Sequence, residues 1–245
     1  MTLDSQDVQP PHPSLTYNHA HWETRRRILR FLIAKIGFTL LAKLDRVDGL
    51  EHIPAQGSAI VMINHIAFVD PIAVMHVAPR NIVPLAKIEV YNYPLIGIFP
   101  HLWGVIPVRR AEVDRRALQQ ALEVLKAGEM VLVAPEGHRH AQLEDAKEGV
   151  AFLASRSGAP VIPTAIDGTP GFPALRCSAR WRGPGIVIRF GRPFRFQSRS
   201  PRPDREQLRL MTDEAMYLLA ALLPENRRGI YADLSKATQD TIAWG

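Results

Sequence analysis

Ala59-Ile-Val-Met-Ile-Asn64-His65-Ile-Ala-Phe-Val-Asp70-Pro71 decides how the rest of the chain is read. Five apolar residues run into Asn-His, and Asp-Pro follows five positions after the histidine. A run of that length suits a buried strand. Asp-Pro suits a helix start, with Asp as N-cap and Pro at the first helical position. The stretch predicts His65 in the turn that leaves a strand and Asp70 where a helix begins, a place where α/β folds put chemistry.

Outward from that turn, apolar runs and helical patterns alternate. Strands are expected over 58–64, 81–86, 104–108, 130–134, 160–166 and 185–190, and helices over 71–78, 94–99, 114–127 and 147–157. The clearest helix opens at Asp114, has apolar residues at 117, 118, 121, 122, 124 and 125, and stops at Gly128. Such alternation predicts one α/β domain with a mixed, largely parallel sheet flanked by helices. A loop rich in Gly and basic residues is expected at 180–185 and a polar, Pro-containing break at 198–203. An amphipathic helix at 204–223, ended by Pro224, closes the pattern. Four segments follow: a flexible tail over 1–18, an amphipathic helix over 19–45, the main domain over 46–224, and a loosely attached C-terminal tail over 225–245.

The segment 28–44 is about 17 residues, or roughly 26 Å of helix against a hydrocarbon core of about 30 Å. It carries Arg30, Lys35 and Lys43, each costing on the order of 3 kcal/mol at mid-bilayer. A spanning helix is therefore not expected. Lys35, Thr39 and Lys43 form one polar stripe on an otherwise apolar cylinder, and Arg25, Arg26, Arg27 and Arg30 cluster at one end. That suits a helix lying in the membrane interface; the alternative is a terminal helix packed on the core with its basic residues solvated.

The chain has 245 residues, 47% hydrophobic and 22% charged, the composition of an ordinary globular protein. A net charge of +6 favours anionic partners: a membrane surface, phosphorylated substrates or nucleic acid. Nucleic acid is not expected, because aromatics make up 7% and none interleave with basic residues in a binding motif. The lone Cys177 excludes an internal disulfide and suits a reducing compartment. The polar first eighteen residues do not read as a secretory signal.

A histidine followed five positions later by an aspartate is weak on its own. With 9 His in the chain, chance supplies roughly 0.4 such pairs. A second pair, His140 and Asp145, sits in a charged loop, whereas His65 directly follows the apolar run. Split over a turn and a helix start, Asp70 can accept from one imidazole nitrogen of His65 and leave the other free as a general base. The plain alternative is that Asp70 only caps its helix, and a carboxylate has acceptor capacity for both roles. Gly104-Val-Ile-Pro-Val-Arg109-Arg110 and Val131-Leu-Val-Ala-Pro135-Glu136-Gly137-His138-Arg139 each run a strand into arginine. An arginine at a strand end beside a glycine turn makes an anion site. A metal site built from Glu136, His138 and His140 is a rival, but alternating ligands need a strand and Gly137 points to a loop.

Asn64-His65-x4-Asp70, Gly104-Val-Ile-Pro-Val-Arg-Arg110, Pro135-Glu136-Gly137-His138-Arg139 and Pro160-Val-Ile-Pro163 resemble, in order and spacing, the four sequence blocks of the glycerolipid acyltransferases. The chain is similar to the lysophosphatidic acid acyltransferase (1-acylglycerol-3-phosphate acyltransferase) family over about residues 50 to 195. The resemblance implies the glycerol-3-phosphate acyltransferase-like fold. It makes His65 the base for the acceptor hydroxyl, held by Asp70, and acyl-CoA or acyl carrier protein the thioester donor. Arg110, Glu136, Gly137 and Arg139 would bind the acceptor's phosphate and glycerol, with Lys87 nearby. No metal or prosthetic group is implied. The expected activity is acylation of a lysophospholipid to phosphatidic acid in phospholipid biosynthesis, by a peripheral or monotopic protein at the cytoplasmic membrane face. Ala134 stands where the family has Phe, His138 where it has Thr, and Arg109 where it has an acid or amide. Another lysolipid acceptor, or a catalytically silent lipid binder on the same fold, is the alternative.

Overall fold

The computed structural model describes residues 17–94, 96–109, 113–197 and 202–245. Most of the expected tail over 1–18, Arg110, and most of the polar break at 198–203 lie outside these residues.

The chain forms one α/β domain on a mixed, mostly parallel sheet flanked by helices. Its strands are β1 (Leu44–Asp48), β2 (Ala59–Ile63), β3 (Ile82–Lys87), β4 (Ile106–Val108), β5 (Met130–Val133), β6 (Val161–Asp167), β7 (Ile186–Phe190), β8 (Phe194–Phe196) and β9 (Ile242–Trp244). The main order is β1-β7-β6-β2-β5-β3-β4, with β8 beside β6 and β9 beside β8. β6, β2, β5, β3 and β4 run parallel, while β7 pairs antiparallel with β6. The five parallel strands therefore deliver the residues after them to one edge of the sheet.

The helices are α1 (His19–Leu32), α2 (Asp70–Val77), α3 (Ile98–Trp103), α4 (Arg115–Lys126), α5 (Gly149–Ser157) and α6 (Arg205–Leu222). They cover both faces, which is why β2 and β5 are apolar at every position. Ile60, Met62, Val131 and Val133 face a core with residues of α4, α5 and α6. Ala59, Val61, Ile63, Met130 and Leu132 face the opposite core with residues of α2, α3 and the segment after α1. Each fully buried aliphatic side chain contributes about 1.5–3 kcal/mol of transfer free energy.

Four features differ from what the sequence predicts. The N-terminal helix ends before Lys43. Beyond α1 the chain widens into π-type winding over Ile33–Leu41, and Leu44 already belongs to a strand. Only Lys35 and Thr39 of the polar stripe are helical. Arg26 is fully buried, with Nε donating to the Trp103 carbonyl at 2.8 Å and Nη1 to the Tyr17 hydroxyl at 2.5 Å. Arg30 donates to the carbonyls of Ala78 and Arg80 at 2.6 and 3.0 Å, so two of the four arginines are internal struts. The C-terminal segment is docked rather than loose: β9 pairs with β8, and Tyr231 and Thr241 are buried. The expected helix at 94–99 starts later, at Ile98, after a 3-10 turn over Ile88–Asn92.

Candidate active site

His65 leaves β2 in the turn expected for it. Asn64, buried at the strand end, exchanges two hydrogen bonds with the backbone of Ile166 on β6. Its Nδ2 donates at 2.9 Å and its Oδ1 accepts at 2.8 Å. The amide side chain thus extends the ladder by one step after the backbone has begun to turn, and fixes where His65 starts.

Asp70 is fully buried, and its Oδ2 accepts from His65 Nδ1 at 2.9 Å. The same oxygen accepts from the backbone N–H groups of Ile66 and Ala67 at 2.6 and 2.7 Å. Asp70 is not the N-cap of α2: it is the first helical residue, and its carboxylate reaches back to tie the preceding turn. Two backbone donors compensate the buried charge independently of the imidazole. With Nδ1 committed to Asp70, Nε2 is the nitrogen left to exchange a proton. Oδ1 of Asp70 is buried without a hydrogen-bond partner among the described residues.

The loop after β5 closes over this turn. The His140 N–H donates to the His65 carbonyl at 2.8 Å. Glu136, 5% exposed, accepts from the Glu144 N–H at 2.8 Å, and the His65 N–H also bonds to its carboxylate. Burial raises the Glu136 pKa to about 7, against the lowering effect of these backbone donors. Glu136 is therefore engaged with the protein's own backbone. Gly137 has φ +71° and its N–H goes to the Ala134 carbonyl. An added Cβ would meet little there, so the residue is needed for its backbone conformation.

A cavity of about 670 Å³ opens beside the loop, lined among others by Lys87, Glu136, His138, Arg139, His140 and Glu144. His65 is not among its lining side chains, but two of the lining residues, Glu136 and His140, bond to its backbone. Of the five expected acceptor-binding residues, Lys87, Glu136 and Arg139 line the cavity and Gly137 shapes its loop. Arg110 lies outside the described residues. Arg109 follows β4 and is exposed, its N–H bonded to Asp114. Among the described residues no group of three His, Cys, Asp or Glu could hold a metal ion, and His140 Nδ1 instead pairs with Glu144 at 3.0 Å. Neither the hydrogen bonds of Asn64 nor the place of His138 and His140 on the cavity wall follows from the motif spacing. The one signal for Asn64 was an amide at the end of an all-apolar strand.

Residues 46–167 match a family model described as Acyltransferase. The chain is 30% identical over 130 residues to the 1-acyl-sn-glycerol-3-phosphate acyltransferase of Borreliella burgdorferi, covering 51% of this chain and 52% of that protein. It is 26% identical over 169 residues to the Bacillus subtilis protein of the same name, covering 69% of this chain and 82% of that one. The chain spans about half the length of the first of these. Among solved structures it resembles the 1-acyl-sn-glycerophosphate (LPA) acyltransferase of Thermotoga maritima, with a TM-score of 0.58 and 24% identity over 88% of this chain and 83% of the other. That likeness is one of fold.

Proposed function

Because the chain belongs to the acyltransferase family through residues 46–167, we propose that it transfers a fatty acyl group from a thioester to the hydroxyl of a lysophospholipid. The relatives' names point to 1-acylglycerol 3-phosphate as acceptor and phosphatidic acid as product. The observation that carries the reading is the His65–Asp70 pair, 2.9 Å apart at the carboxyl edge of the sheet.

In this reading His65 Nε2 removes the proton of the acceptor hydroxyl as its oxygen attacks the thioester carbonyl. The tetrahedral intermediate then expels the thiolate, which takes the proton back from the imidazolium. Asp70 holds the tautomer and stabilises the transient cation. Arg139 and Lys87 offer donors to the acceptor phosphate from the cavity wall, and Arg110 belongs to the same proposal by its place after β4. Glu136 acts by fixing the loop. The donor is acyl-CoA or acyl carrier protein, and this chemistry asks for no metal.

The acceptor and product are lipids, and an exposed apolar face supports a membrane-surface position. The inner sides of α1 and α3 pack together, with Leu29, Phe99 and Trp103 in one core. Ile28 (55%), Phe31 (61%) and Ile98 (63%) are left facing outward. Arg25, Arg27 and Lys35 lie exposed beside them, suited to an anionic lipid surface. No helix among the described residues is long and apolar enough to cross a membrane. We place the protein peripherally on the cytoplasmic face.

A panel of lysolipids with acyl-CoA, read by thiol release, tests the reading. Release dependent on a lysophosphatidic acid supports it. Release only with another lysolipid corrects the acceptor, and none with any acceptor leaves a lipid binder on this fold.

A further inference from the structure

The segment after α6 lies beyond the family-matched region, yet it holds the loop that lines the cavity. Arg227 makes three contacts that join two parts of the site's edge, the end of β6 and the loop over 141–143. Its Nε meets Asp167 Oδ1, at the end of β6, at 3.3 Å. Its Nη1 donates to the Ala141 carbonyl at 2.9 Å, and its own carbonyl accepts from the Leu143 N–H at 2.9 Å. Beside it the Asn226 carbonyl accepts from Gln142 Nε2 at 3.1 Å, and the Ile230 N–H donates to the Leu143 carbonyl at 3.2 Å. Gly229 has φ +53°, and a Cβ there would collide with the Leu143 carbonyl, so the two backbones are as close as a side-chain-free residue permits.

The clasped loop is the one whose other side faces the cavity. Within four residues of Ala141 and Leu143, His140 bonds to the His65 carbonyl, Glu144 to the Glu136 carboxylate, and Lys147 to the Pro135 carbonyl. The strand Arg227 grips is the one that Asn64 grips one residue earlier, at Ile166. Loop and histidine turn are thereby referred to the same rigid strand end.

We propose that residues 225–231 are a positioning clamp for the acceptor-binding loop, with Arg227 the positioning residue. The clamp sets the spacing between the loop's cavity-lining side chains and His65. It rests on the functional reading above. His65 has independent supports in Asn64 and Asp70, so loosening the clamp displaces the acceptor more than the base. A guanidinium suits the task because its planar fork serves a carboxylate and a carbonyl at once, which an ammonium on a flexible stem does less well.

The test compares wild type, Arg227→Ala and Arg227→Lys in the full chain, with Lys126→Ala, exposed in the last turn of α4 before β5 begins, as a remote surface control. Two readouts are used: amide hydrogen exchange, and steady-state kinetics with acyl-CoA and 1-acylglycerol 3-phosphate. Arg227→Ala should speed exchange at Leu143, Glu144 and His140 on the order of tenfold, leaving β2 and β5 amides at wild-type rates. It should raise the acceptor KM on the order of tenfold while the donor KM and kcat change far less. Arg227→Lys should fall between. Exchange that is unchanged in the loop, or raised equally across the sheet, would overturn the clamp, as would equal rises in both KM values. If wild type consumes no thioester, the functional reading fails, and the exchange result alone still decides whether the clamp exists.

Discussion

At the scale of single residues, the site is held by polar side chains bonded largely to backbone atoms, with the His65–Asp70 pair at its centre. Asp70 serves the His65 imidazole and two N–H groups through one oxygen, so changing it disturbs both orientation and turn. Asp70→Asn leaves an oxygen for the N–H groups but can present an amide N–H to Nδ1, which favours the wrong tautomer. It should lower kcat about 10²–10⁴-fold with little change in acceptor KM, measured by steady-state kinetics. Glu136 gives a pH prediction. Burial raises its folded pKa to about 7, above the ordinary glutamate value of 4.5. The protonated form is therefore favoured by folding, and this contribution is full below 4.5 and lost as pH rises through 7. Glu136→Gln keeps an acceptor for the Glu144 and His65 N–H groups without the charge. Thermal melts should show the Gln variant gaining on wild type as pH rises from about 4.5 to 8, with the gain levelling above 7. A constant difference over that range would contradict the burial of this carboxylate. The pairing of His65 with Asp70 was legible locally, because both lie within one turn; the chemical role expected of it drew its weight from the three later sequence blocks. The work of Asn64 and Glu136 could not, since their partners, Ile166, Glu144 and the His65 backbone, are assembled only by the fold.

At the scale of elements, strands buried on both faces were legible because each is a short unbroken apolar run ending in a turn signal. β1, Leu-Asp-Arg-Val-Asp, was not, since it is an edge strand with charged residues and, among the described residues, pairs only with β7. β8 and β9 are three residues each and carry no period. The all-round apolar character of the N-terminal segment was legible, but its division was not: one side enters the core through Leu29 and Ile33, and Arg26 enters with it. Deleting the segment would therefore damage the fold along with any surface contact. Point changes separate the two. Phe31→Asp combined with Ile98→Asp should cut binding to anionic liposomes on the order of tenfold or more, measured by co-sedimentation, and leave the melting temperature within a few degrees. Arg26→Ala should do the reverse: it removes a buried donor to the Trp103 carbonyl and should destabilise by about 3 kcal/mol in denaturant unfolding.

At the scale of the whole molecule, the family-matched region supplies the parallel strands and the His65 turn, and the chain beyond it closes the structure. Glu214 of α6 is 1% exposed and accepts hydrogen bonds from Thr238, Asp240 and Thr241. Removing residues 225–245 would leave that carboxylate buried without these donors and uncover Phe194. The truncated chain should melt far below the full one or fail to express in soluble form; an unchanged melt would contradict the docked C terminus. The central claim is that His65 is the base of an acyl transfer. Its most direct measurement is thiol release from acyl-CoA by wild type and His65→Ala with 1-acylglycerol 3-phosphate present, under conditions where both proteins have the same circular dichroism spectrum. Acceptor-dependent release by wild type and a loss of about 10²–10⁴-fold in the variant are expected. Full activity in His65→Ala would contradict the claim.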